Sequence, residues 1–120
     1  MGERVGFVEY KGKLILLEDF SHVDRDEDCI FILKNAQRII QALPSKSVLV
    51  LVDLTDIHFT SNLMGVVIEV VKSDSLHVSA TAVVGATGLQ NIFIKAFSTL
   101  VQRELVTFNS REEAMDWLVQ

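Results

Sequence analysis

Three observations predict an α/β domain with a mostly parallel, mixed five-stranded sheet. A β-hairpin with a two-residue turn opens the chain, β-rich and helix-period segments alternate after it, and the inner strands are apolar on both faces. The expected order is ββαβαβαβα, with helices on the faces of the sheet and right-handed crossovers between its parallel strands.

Residues 4–10 and 13–19 are separated only by Lys11-Gly12, where glycine supplies the positive φ of a tight turn. From Asp24 the period changes. Cys29, Ile32/Leu33, Ala36, Ile39/Ile40 and Leu43 recur every three or four positions, which predicts an amphipathic helix. Asp24, Asp26, Glu27 and Asp28 suit its positive end, and Pro44 stops it.

"SVLVLVD" (47–53) is β-branched and apolar on both faces, as a strand in the middle of a covered sheet must be. Residues 62–73 carry two signals. Val66, Val67, Ile68, Val70 and Val71 favour strand, but Leu63, Val66/Val67 and Val70/Val71 keep helical spacing, and a helix is expected. "SATAVVG" (79–85) is a second buried strand, and Gly85-Ala86-Thr87-Gly88 turns it into a helix from about Leu89 to Gln102, a tight connection that accounts for both glycines. "LVTF" (105–108) is a short last strand. Ser110 and Glu113 form an S-x-x-E capping box for a final helix striped by Ala114, Trp117 and Leu118.

With no repeat or linker, residues 1–120 read as one domain. Acidic residues outnumber basic ones 16 to 11, and the basic ones are scattered, so nucleic acid and anionic lipid surfaces are poor electrostatic partners. The single cysteine, Cys29, allows no internal disulfide, and the start "MGERVGFVEY" has no signal-peptide pattern; both fit the cytoplasm. No apolar run approaches the roughly 20 residues of a transmembrane helix.

The segments "YKGKLILLEDFS", "VLVDLTDIHF", "SATAVVGATGLQNI" and "FNSREEAMDWL", in this order and spacing, resemble the STAS domains, and within them the SpoIIAA-like branch also described as STAS/SEC14-like. The resemblance spans almost the whole chain. It implies a single STAS-type fold and a non-enzymatic, regulatory task carried out by binding. In signalling members a phosphorylatable Ser or Thr follows an Asp in a pattern like "DLSxVxFxDSSG". Aligning "DLTDIHFTSNLMG" on Ile57 and Phe59 places Ser61 at the Asp and Asn62 at the acceptor, so both switch residues are altered. Asparagine cannot take up phosphate.

Thr60, Ser61 and Asn62 are expected chiefly as an N-cap, one of them accepting a bond from a free backbone N–H, with a phosphorylation or anion site as the sharper alternative. Asp53, ending a central strand, is expected to cap the following loop. No acidic pair or late lysine accompanies it, as a phosphoacceptor of the receiver type would need. Asp56, His58 and Ser61 are too close in sequence to converge as a triad, and no G-x-S-x-G elbow is present, so no catalytic residue is assigned. His22, His58 and His77 lack ligand spacing, which leaves no metal or cofactor expected and reads them as lone solvent-facing side chains.

Apolar surface is in excess. Leu89, Ile92, Phe93, Ile94, Ala96, Phe97, Leu100 and Val101 cover an arc of roughly 200° at about 100° per residue, more than one sheet face requires. Phe31 falls opposite the core stripe of its helix and is expected to be exposed. The excess means either a generous core or a contact surface. As a surface, Phe31, Met64, Phe93, Ile94 and Phe97 would meet a protein partner, or, in the SEC14-like alternative, a lipid or other apolar small molecule with peripheral membrane contact. A homodimer is compatible with the same over-wide helix.

Overall fold

A computed structural model describes residues 3–58 and 60–120 of the chain. Phe59, one anchor of the alignment above, lies outside them. The strands β1 (Val5–Tyr10), β2 (Lys13–Asp19), β3 (Val48–Asp53), β4 (Val78–Val84) and β5 (Leu105–Phe108) form one sheet in sequence order. β1 runs antiparallel to β2, and every later neighbour pair is parallel. Lys11 and Gly12, at φ 49° and 82°, both take the left-handed conformation that a two-residue hairpin turn of type I′ demands.

Each parallel crossover carries a helix: α1 (Asp26–Gln41), α2 (Met64–Asp74) and α3 (Gly88–Val101), with α4 (Arg111–Leu118) closing the chain. The strands are added in one direction, so right-handed crossovers put α1, α2 and α3 on the same face, with α2 packed against both neighbours. Beneath them, Leu16, Val48 and Val50 meet Cys29, Ile32, Ala36, Ile40 and Val70. α4 covers the opposite face, where Ala114 and Leu118 close over Ile15, Leu51, Ala82 and Val84. β3 is therefore buried on both sides, as its unbroken apolar run requires.

Four local expectations change. A 3₁₀ turn over Ser61–Leu63 precedes α2, and neither it nor α2 has a side-chain cap bond, so the capping role of Thr60, Ser61 and Asn62 is not realised. The complete capping box is instead at α3, where Thr87 and Gln90 bond each other's backbone N–H groups. Ser110 accepts from the Glu113 N–H at 3.2 Å without the reciprocal bond. Of the two glycines in the β4–α3 turn, only Gly85 needs to be glycine for backbone reasons: it has φ 80°, and a Cβ there would fall 2.7 Å from Cα of Thr55, whereas Gly88 opens a helix with free space around it.

Candidate functional site

The carboxyl ends of the parallel strands, where open α/β sheets place their ligand crevices, are occupied by an ion network. Asp19 and Asp53 end adjacent strands in register. Arg111, the first residue of α4, reaches over them: its Nε and Nη2 donate to Oδ2 of Asp53 at 2.8 and 2.7 Å, and Nη2 lies 3.6 Å from Asp19. The other oxygen of Asp53 accepts from the Thr55 N–H at 2.9 Å, which realises the loop cap expected of it. Burial opposes its ionisation, but the bonds from Thr55 and Arg111 outweigh that and hold the carboxyl below its ordinary range. Asp19 accepts from the N–H and hydroxyl of Ser21 and lies 3.7 Å from Arg4. Every charged group of this cluster already has a partner, and its geometry ties α4 to the sheet.

Beside it, Asp56 bridges two imidazoles, with Nδ1 of His22 at 3.0 Å and Nε2 of His58 at 3.1 Å. Hydrogen bonds from His22 and then His58 lower the Asp56 carboxyl. His22 and His58 are thus not lone side chains: backbone bonds His22 N–H to Thr55 O and His58 N–H to Val23 O draw their two loops together. His77 is separate, its Nδ1 set against the Leu43 carbonyl at 2.8 Å. Ser61 joins no bond to Asp56 or His58 among the described residues. No group of three potential ligands there is placed to hold a metal ion.

The segment before α2 is held by α1. The N–H of Thr60 donates to Asp26 at 2.9 Å and its hydroxyl donates to the other oxygen of the same carboxylate, the hydroxyl bond being the chief reason that this carboxyl is lowered. Ser61 and Asn62 are exposed and Met64 is half-buried. An open cleft of about 680 Å³ lies alongside, lined by Asp24, Asp26, Glu27, Ile30, His58 and Thr60. Its walls are acidic, unlike those of an apolar ligand site.

The apolar arc of α3 divides in two. Ile94, Phe97 and Val101 point into the core, with Ile94 and Phe97 each 8% exposed, so these two do not belong to the surface expected of them. Leu89, Ile92, Phe93 and Leu100 face outward at 80, 69, 48 and 54% exposure. Phe31 is exposed as expected, but on α1, with α2 between it and Phe93. The five residues do not line one groove.

A buried polar cluster escaped the sequence reading. Glu18 and Asp74 are 8% and 3% exposed, and near them Arg103 donates from Nε and Nη2 to the Thr81 hydroxyl at 3.0 and 2.6 Å. Burial pushes Glu18 up to about 7 and Asp74 up to about 6, against the pull of the Arg103 charge. The signal was present in the alternation Leu14, Leu16, Glu18, Phe20: Glu18 is the one charged residue in that row.

With this geometry in place, a family model described as SpoIIAA-like matches residues 8–119. No curated protein matches the chain. Among solved structures it is similar to an uncharacterized protein of the DUF3478 family with a SpoIIAA-like fold from Shewanella loihica PV-4, at 15% identity and a TM-score of 0.79. The match covers 95% of this chain and 91% of that one. At such identity the likeness shows the fold alone.

Proposed function

From the premise that this chain belongs to the SpoIIAA-like family, we propose that it is a non-enzymatic STAS-type domain that acts by binding a protein partner. The observation that carries this reading is the outward half of α3, where four large apolar side chains lie in water along one helix. The exposed start of the α2 segment, Ser61 and Asn62 with Met64 beneath, provides a second contact region.

A phosphoswitch in that region has one remaining candidate. Asn62 cannot be phosphorylated, and the Thr60 hydroxyl is committed to Asp26, so a phosphate on Thr60 would meet a carboxylate. Ser61 is exposed and makes no side-chain bond among the described residues. The lipid-binding alternative draws on the same α3 strip for peripheral contact. It is the weaker reading, because Ile94 and Phe97 face the core.

Affinity capture under native cross-linking, comparing the wild-type chain with Ile92→Glu and Ser61→Asp, tests the proposal. Protein cross-links that vanish with Ile92→Glu are expected. If cross-linked species are the same for all three proteins, or absent from all, binding through these surfaces is refuted.

A further inference from the structure

Resting on the reading of α3 as a protein-binding surface, we infer that its partner is a second copy of this chain, docked helix to helix about a two-fold axis at Ala96. The outward residues form a single stripe. At about 100° per residue, Ile92, Ala96, Leu89, Leu100 and Phe93 fall in that order within an arc of roughly 100°. Ala96 is itself exposed and sits between Ile92 and Leu100 at i±4 spacing. It is the small residue of the stripe, so the point of closest backbone approach is there.

An antiparallel pair centred on Ala96 sets Ile92 of each copy against Leu100 of the other, the self-complementary pattern that a two-fold interface requires. Opposed helix dipoles also favour this arrangement. The phenyl ring of Phe93, 6.1 Å from that of Phe97, forms the inner wall of the stripe and joins it to the core.

Charge argues for a second copy over other occupants. The chain carries a net −5, yet the only charged residue from Gly88 to Gln102 is Lys95. Two copies meeting there bring none of their carboxylates into opposition, whereas most other faces would. An anionic membrane would be met by one cation against a net negative chain, the reverse of an amphipathic helix built for lipid surfaces. The four large side chains expose on the order of 500 Å² per copy, and with the flanking Lys95, Ala96 and Thr99 two copies bury roughly 1,200 Å², the lower end of specific interfaces. The expected affinity is micromolar.

Sedimentation velocity across micromolar concentrations tests this on the full chain. Wild type is expected to reach twice the chain mass, and Ile92→Glu or Leu100→Lys to weaken association more than about tenfold. The double variant, with Glu facing Lys twice across the axis, is expected to regain dimer. Because Cys29 is buried, Ala96→Cys supplies the one accessible thiol, and its oxidation is expected to give a covalent dimer. Residue 92 is well exposed, so circular dichroism should show all variants folded. A wild-type chain that stays monomeric at high micromolar concentration overturns the proposal, as does a dimer insensitive to Ile92→Glu. A monomer that captures another protein, or anionic vesicles, through residue 92 also overturns it; in the first case protein binding by α3 survives, in the second it does not.

Discussion

Replacing Glu18 by Gln isolates the electrostatic cost of one buried carboxyl. Glu18 pairs with Val5 on one side and Val52 on the other, and its side chain enters the layer between sheet and helices. Two carboxyls, Glu18 and Asp74, feel the charge of one half-buried guanidinium, that of Arg103, whose side-chain bonds go to Thr81 instead, and among the described residues an Asp74 oxygen is left without a partner. Burial therefore dominates, and Glu18 titrates near 7 in the fold against 4.5 when solvated. The folded state holds a proton that the unfolded state has lost between those values. Stability from this group is thus full below pH 4.5 and falls as pH rises toward 7. The loss is about 3 kcal/mol at an upper bound, since each pH decade is worth about 1.4 kcal/mol.

Gln keeps the shape and carries no titrating proton. Glu18→Gln is expected to match wild type within about 0.5 kcal/mol at pH 4.5 and to exceed it by about 2–3 kcal/mol at pH 8. Urea unfolding at the two pH values, followed by the single tryptophan, Trp117, reads the difference directly. If Glu18→Gln were less stable than wild type at pH 8, the carboxylate would be ionised and net favourable beside Arg103, and the reasoning would fail. An equal difference at both pH values would refute it as well.

Other perturbations probe the remaining contacts. Gly85→Ala combines a strained positive φ with collision against the Thr55 backbone, and should cost about 3 kcal/mol in urea melts; a loss under about 1 kcal/mol would mean that the two loops part easily. Arg111→Ala strips the 6%-exposed Asp53 of its cation, with an expected loss of about 2 kcal/mol, tempered by the partial exposure of Arg111. Because the Asp53 carboxyl is held low, its contribution is present above pH 3.8 and vanishes on acidification. The variant should therefore differ least from wild type at the acid end of a pH series. Asp26→Ala removes both acceptor oxygens and should free the Thr60 amide, seen as faster hydrogen exchange at Thr60 with α1 otherwise protected.

Much of the fold was legible because period and punctuation agree along the chain. The Lys11-Gly12 turn, the apolar run of β3, the helical spacing from Cys29 to Leu43 and the stop at Pro44 each have a local cause, and the SpoIIAA-like resemblance rests on the same segments. The misses share a different cause. Thr60 turned from capping its own helix to donating twice to Asp26, 34 residues away, a partner that no local preference encodes. His22 and His58 met at Asp56 only because the loops after β2 and β3 lie side by side. Arg111 carried a local signal, a cation in the first turn of a helix where the dipole disfavours it. That misfit is resolved by Asp53 and Asp19, which the parallel sheet brings beneath it.

Those two clusters also bear on how the molecule acts. The strand ends that hold ligands in many open α/β sheets are closed here by groups that satisfy one another: Asp53 is bonded to Thr55 and Arg111, and Asp19 to Ser21. Opening that crevice to a ligand means breaking a charge pair in partly buried surroundings. Contact at α3 breaks nothing. Leu89, Ile92 and Leu100 already stand in water, and covering them releases apolar area at about 25 cal/mol per Å². Between a sealed crevice and an uncovered helix, the energetics favour contact on the helix, which supports the proposed recognition through the residues that surround Ala96.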